Sequence, residues 1–550
     1  MGTRAGALTA APLALVLVLS GCGGGGGGAP TGNNATADAT ITIYGTNPPG
    51  NMLPANATDA GSAKMQEGVY SQLIGYAPTD GKPFNQVAES ITTTDSKVYN
   101  VKLRKGWKFH DGTEVKAKNF VDAWNWGAYG PNAQLSATWF KQIDGFDDVY
   151  TKDPDGPSGP QKPATPSSKT MKGLKVIGEH EFEIALKAPF SVFTTLIGYT
   201  PFAPLPDKFF ADPVAFAKAP VGNGPLKFVS FTPNVDIKLT RNDDFPLEQK
   251  KVKFKNLTIK IYSQQEAAYK DLLSGQLDFM EALPPSAKAG SKYKTELGDR
   301  LLTARLLSIS TLTVPEYLPE YKNLDLRKAI ALAINRDQIT KTVLADTYVP
   351  ADGWVNDNIE GYEKGVCGEF CQYDAVKARE YYQRSGHTGK ITIQSNADGG
   401  RKEPLEAACN SIKNAIGVEC TFVGATNFGD FRNLIDGRKL TGLGRSDWGA
   451  DYAEIENFLN PLYRTGGSSN DSKTSNPQLD SLLAQADATA QRADAIKLYQ
   501  QAHHLLPTYF PSIPVWMERG VGAKSTNLEA AQLNFKRRLE YASVVVKAKG

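Results

Sequence analysis

The stretch TIKIYSQQEAAYKDLLSGQLDFM, Thr258 to Met280, admits few folds. Ile259 and Ile261 alternate with polar residues, the period of a half-buried strand. Ser263 and Glu266 then stand at capping-box spacing, an amphipathic run follows, Gly275 stops it, and a second short strand closes the stretch. A strand, a helix and a strand in such quick succession form an α/β unit, and the expected fold class is α/β.

The rest of the chain extends that reading. Asp325 stands where it can cap a helix whose apolar positions Leu326, Ala329, Ile330, Ala333 and Ile334 follow helical spacing, and Asp374 and Gly386 bracket another. Elsewhere the pattern turns to hairpins: LKFVSF and VDIKLTRN alternate on either side of Thr232 to Asn234, and VYNVKLRKGWKF runs into the Asp111-Gly112 turn. The Pro/Gly/Ser-rich piece from Thr151 to Thr170 reads as a surface loop. At 550 residues with 41% hydrophobic content, the chain exceeds one compact domain, so two or more lobes are expected. The net charge of +3 is small, and basic residues are interspersed with acids. That pattern argues against nucleic acid as a partner and for a small ligand.

The first residues read as an export signal: Arg4 is followed by an apolar run, Ala11 to Leu19, too short to span a bilayer, which takes roughly 20 residues. Leu19-Ser20-Gly21-Cys22 resembles the lipobox of bacterial lipoproteins, which implies cleavage before Cys22 and lipidation of its thiol. Residues 1–21 are thus expected to be a lipoprotein signal peptide and 22–37, rich in glycine and alanine, a flexible tether. The expected location is the outer face of the cell membrane, with Cys22 the anchor. Cys367, Cys371, Cys409 and Cys420 are an even set in an exported protein and are expected to form disulfides, with local pairing favoured. A zinc site is the rival, but His387 is the only histidine nearby, and no metal is expected.

Catalytic motifs are missing. The chain has no GxxxxGK[ST] loop, no GxGxxG after a strand, no HExxH and no GxSxG elbow, and its five histidines read as structural or solvated. Glu454 and Glu456 near Asp451 have the residue types of a glycosidase acid pair, but such chemistry needs carboxylates held about 5–10 Å apart across a sugar, which proximity in sequence does not supply. No enzyme and no cofactor are expected.

Several segments in order carry a resemblance. VAESITTTDSKVYNVKLRKGWKFHDGTEVKAKNFVDAWNW (Val87 to Trp126) and PVGNGPLKFVSFTPNVDIKLTRNDDF (Pro220 to Phe245), followed by LSGQLDFM, DLRKAIALAINRDQI and IPVW, are similar to the oligopeptide/dipeptide-binding family of ABC-importer solute-binding proteins. The resemblance implies two lobes hinged about a cleft: lobe I at 38–310 with an extra subdomain at about 78–205, lobe II at 311–513, and a return to lobe I at 514–550. It implies a peptide ligand, permease and separate ATPase subunits as partners, and a monomer.

Within GRSDWGADYAEIENF, Gly444 to Phe458, the resemblance assigns a role to Asp451: it matches the aspartate that receives a peptide's α-ammonium group. Arg445 matches a position that meets a ligand carboxylate, Gly449 and Ala450 would pair with the peptide as an added strand, Trp448 and Tyr452 would flank it, and Trp139 falls near an aromatic contributed by the first lobe. Asp451 to Glu454 also reads as a capping arrangement for the helix carrying Phe458 and Leu459, and the two aromatics as core. The acids at Asp447, Glu454 and Glu456 depart from the family pattern; the extra negative charge either favours cationic peptides or faces solvent, and the solvent-facing surface charge is the default expectation for Asp447. Other readings are a receptor of the same fold for an oligosaccharide, nickel chelate or opine, a secreted glycoside hydrolase, and a peptide-sensing surface lipoprotein.

Overall fold

A computed structural model describes residues 38–48, 52–56, 59–151, 164–397, 401–426 and 428–548. The expected signal peptide, Cys22, the tether and most of the loop from Thr151 to Thr170 lie outside the described residues. No described helix is long and apolar enough to cross a membrane.

The architecture is mixed α/β around one twelve-stranded sheet. Its organising element is the strand Ser512–Lys524, which contains the IPVW sequence. The first half of that strand pairs antiparallel with Ser308–Thr313 and Tyr348–Pro350, and the second half with Leu301–Arg305 and Phe279–Met280. One strand therefore joins two half-sheets. On one side, Thr40–Gly45 lies parallel to Asn256–Ile261, which leads through Asp236–Arg241 to the edge strand Leu226–Thr232. On the other, Ser308–Thr313 leads through Leu443–Gly449 to Ile391–Asn396 and Cys420–Ala425, the last three parallel.

The opening segment forms the unit its periodicity implies, strand Asn256–Ile261, helix Gln265–Ser274 and strand Phe279–Met280. Gly275 ends the helix at φ +81°, a left-handed conformation that glycine adopts without a Cβ clash. The expected capping box does not form, because the helix starts later than its spacing implied: Gln264 is the cap and makes no side-chain bond. A similar correction applies at Leu324–Ala333, where Asn323 rather than Asp325 accepts from the first amides. Asp374 and Gly386 bracket their helix as expected.

A second, four-stranded antiparallel sheet carries the VAES segment, in the order Ala88–Thr92, Val98–Leu103, Glu181–Ala185, Leu174–Gly178. Helix Ala117–Ala128 presses Phe120 and Trp124 against Phe182, Phe140 and Phe202, all fully buried. The Trp124 indole N–H donates to the Phe202 carbonyl at 3.0 Å, so the large ring is buried without a lost hydrogen bond. The Gly222-Asn223-Gly224-Pro225 segment does more than turn. Asn223 is fully buried and exchanges two 2.9 Å bonds with the Ser71 backbone, while a Cβ on Gly222 would lie 1.9 Å from the Val69 carbonyl oxygen.

Cys367 is bonded to Cys371 and Cys409 to Cys420, the second bond tying helix Lys402–Ile416 to the strand that follows it. His503 is fully buried, its Nε2 accepting from the Trp354 amide at 3.1 Å, and burial pushes its pKa down to about 3. It is a neutral packing histidine.

Candidate functional site

Strand Leu443–Gly449 is asymmetric at its two edges. Along one edge every residue from Gly444 to Gly449 is in register with Ser308–Thr313. On the other edge the parallel strand Ile391–Asn396 meets it only at Leu443 and Gly444. Among the described residues, Arg445 to Gly449 therefore have no strand partner on that side, and an extended chain laid there would find unpaired backbone groups.

Beyond the strand the chain bends before the helix Glu456–Tyr463. The Ala450 amide donates to the Leu307 carbonyl at 2.8 Å, and the Asp451 amide to Asn457 Oδ1 at 3.0 Å. The helix's cap is Ile455, without a side-chain bond. Asp451 therefore does not cap it, because the intervening residues form a bend rather than the first turn. The Asp451 carboxylate makes no ion pair with a described lysine, arginine or histidine. Burial raises its pKa to about 6, against the pull of Asn457 and Lys141. A carboxylate held this way is poised to gain from an incoming cation.

Among the described residues, cavities border the segment on several sides. The first, of about 750 Å³, has Trp139, Lys141, Phe190, Trp448, Asp451 and Tyr452 in its wall. The second, of about 620 Å³, is bordered by Gly449, Ala450 and again Asp451, together with Lys64, Glu281 and Arg538. Asp451 thus stands between two open volumes. Among the described residues the buried indole Nε1–H of Trp448 has no partner, and Trp139 packs against Tyr199 at 4.5 Å between ring centroids. Asp451, Trp448, Tyr452 and Trp139 are brought together, though more than three hundred residues separate the last from the others.

Arg445 is placed elsewhere. It borders a third cavity, of about 890 Å³, with Asp447, Arg401, Tyr348 and Trp516. Its guanidinium is already engaged: Nε donates to Ser395 Oγ at 2.9 Å, Nη2 to Asn396 Oδ1 at 3.0 Å, and Nη1 pairs with Asp447 at 2.6 Å. Phe428 and Phe431 lie within 6 Å of it at 5.8 and 5.6 Å. Asp447 is not the solvated charge expected from its type. Two residues along a strand share a face, so Asp447 falls beside Arg445, and Arg401 completes the pairing at 3.0 Å.

Of the acids after Trp448, Glu454 is fully buried and occupied by Thr195 and Arg492. Glu456 borders the first cavity with Asn457, Asn460, Arg464 and Asp487. The two glutamates thus do not face each other across the cavity, as a glycosidase pair would. In the sequence Glu456 stood only as a departure from the family pattern and as half of a glycosidase-like acid pair, not as a residue of a peptide site. Asp487 and Lys141 carried no signal, because each comes from a distant segment.

Residues 82–470 match the family described as bacterial extracellular solute-binding proteins, family 5 Middle. The chain is 23% identical over 508 residues to the oligopeptide-binding protein OppA of Bacillus subtilis, covering 88% of each. Its fold superimposes on the MppA periplasmic murein tripeptide binding protein in its unliganded open form, with a TM-score of 0.81, 20% identity and coverage of 93% of this chain and 98% of that one. It also superimposes on Haemophilus influenzae OppA in complex with the peptide RPPGFSPFR, with a TM-score of 0.66, 20% identity and coverage of 92% and 99%.

Proposed function

This chain belongs to the bacterial extracellular solute-binding proteins of family 5, and from that premise we propose that it is a lipid-anchored receptor that captures di- to oligopeptides in the cleft between two lobes and delivers them to an ABC permease. The family consists of solute-binding proteins of ABC importers, not enzymes, and the fold is the two-lobed one of the peptide-binding structures. Cys22 is the anchor, and the mature chain works as a monomer. Lobe I takes 38–310, with a subdomain at about 78–205, and 514–550; lobe II takes 311–513.

The observation that carries the peptide reading is Asp451, a carboxylate with no ion pair among the described residues, beside an unpaired strand edge and two cavities. In the complex the α-ammonium meets Asp451, a charge-assisted contact of about 1.5–3 kcal/mol. The peptide backbone lies along Arg445 to Gly449, where pairing recognises main chain rather than side chains. The Ala450 amide is used by Leu307, so the pairing falls to Gly449 and the residues before it. Trp448 and Trp139 wall the first side chain. Arg445 takes the ligand's carboxylate where Asp447 yields it.

Mass spectrometry of what the purified protein retains from rich medium tests this reading. Release of a mixture of short peptides is the expected result. A single sugar, metal chelate or other solute overturns it while leaving the family intact.

A further inference from the structure

The cavity shared by Trp448 and Asp451 is bordered by a second carboxylate, Glu456, that has no ion pair among the described residues. Asp451, Glu456 and Asp487 border it, against Lys141 and Arg464. Arg464 is committed to Asp487 at 2.8 Å. Glu456 is 4% exposed and accepts only from neutral groups, the Tyr452 hydroxyl at 2.6 Å and the Asn460 amide at 2.8 Å. Among the described residues it has no ion pair. Asn460 lies one helical turn on and donates its amide to Asp487 as well, at 3.0 Å. Its own Oδ1 is buried and has no partner among the described residues. Two carboxylates without an ion pair among the described residues, Asp451 and Glu456, therefore border a space walled by the aromatic rings of Trp139, Phe190 and Trp448. A buried carboxylate without a cation is costly, and aromatic faces attract one.

We propose that this cavity receives a second ligand cation with Glu456 as its counter-ion, so that peptides beginning with lysine or arginine are the preferred cargo. The inference rests on the peptide reading, because it takes Asp451 as the seat of the α-ammonium. The first side chain leaves the same carbon as that ammonium and is the ligand group nearest the cavity.

Burial and the charge of Asp487 hold the Glu456 carboxyl up at about 7. The groups facing it are Asp487, Glu454, Tyr452, Asn460 and Tyr499, with Arg464 and Lys141 the cations of the same wall. A ligand cation favours the ionised form, so its binding releases a proton. The preference for it grows as pH rises from about 6 to 8.

The test is calorimetric titration of the lipid-free protein with Lys-Ala-Ala and with norleucyl-Ala-Ala, which differ in charge and little in shape. The expected result is at least a tenfold preference (about 1.4 kcal/mol) for the lysyl peptide at about pH 8, narrowing toward pH 6. In Glu456→Gln the ratio falls to within about twofold. Equal affinities in the wild type overturn the proposal. So does a Glu456→Gln protein that weakens both peptides in parallel, since that is the mark of a structural role. Should that variant misfold, the wild-type ratio against pH decides, and a flat ratio overturns the proposal. If neither peptide binds the wild type, the peptide reading itself fails and this pocket fails with it.

Discussion

Arg445 and Asp451 stand at the two ends of one short stretch and have opposite environments. The arginine's three nitrogens are taken by Ser395, Asn396 and Asp447, and two phenylalanine rings flank it. The aspartate is burdened by burial, has no ion pair among the described residues, and faces two cavities. A charge the fold has satisfied contributes to stability, and a charge the fold leaves wanting is kept for a ligand. Within seven residues of sequence the contrast separates a charge the fold already pairs, for which a ligand must compete with Asp447, from a charge it leaves unpaired.

The largest effect expected is on stability at the first end. Arg445→Ala removes a buried guanidinium and leaves Asp447 only Arg401, so urea denaturation should show a loss of about 3 kcal/mol at unchanged slope. A loss below about 1 kcal/mol would put the arginine in the same class as Asp451 and erase the contrast. At the second end, Asp451→Ala should cost peptide affinity at least tenfold, about 1.4 kcal/mol or more, in a protein that still folds. Unchanged titration of a tripeptide would refute the ammonium role.

A smaller effect has a definite sign. The native carboxyl of Asp451 titrates near 6, above the 3.8 of an ordinary aspartate, so the native state holds this proton more tightly than the unfolded chain. Its contribution to stability therefore falls as pH rises from about 4 to 6, and the full cost is present above that window. Asp451→Asn should raise the thermal stability at about pH 7.5, by about 1–2 kcal/mol, and leave it unchanged near pH 4. A rise at both pH values would point to packing instead. The smallest effect is at Asp447→Asn, which loosens the hold on Arg445. Peptides with a free carboxylate should gain about threefold in affinity over their amides, about 0.6 kcal/mol, read by competition binding.

Much of the fold was legible because its signals are local. The Asp374 cap, the Gly275 and Gly386 stops and the hairpin around Asn234 each depend on residues within one turn of themselves. The capping residues at Gln264 and Asn323 were misread because several polar residues compete for each start, and which one wins depends on where the packed helix face begins. The pairing of Ser512–Lys524 with strands from both half-sheets was not legible, since a strand's pattern states which face is buried and not which partner lies beside it. In the candidate site, Asp451 and Trp448 were reachable through their motif. Glu456 and Asp447 were not, because a charged residue is by default assigned to solvent.

The amino-acid order by itself determined the periodicities, the turns, the cysteine set and the motif that marks Asp451, all of which are set by neighbours along the chain. Tertiary structure alone decided which charges meet. It seated Asp447 on Arg445 and Arg401, gave Glu454 to Arg492, and left Asp451 and Glu456 without an ion pair among the described residues, in the cavity walled by Trp139. The physical reason is that an ion pair depends on distance and desolvation, and packing sets both between segments that sequence separation does not relate.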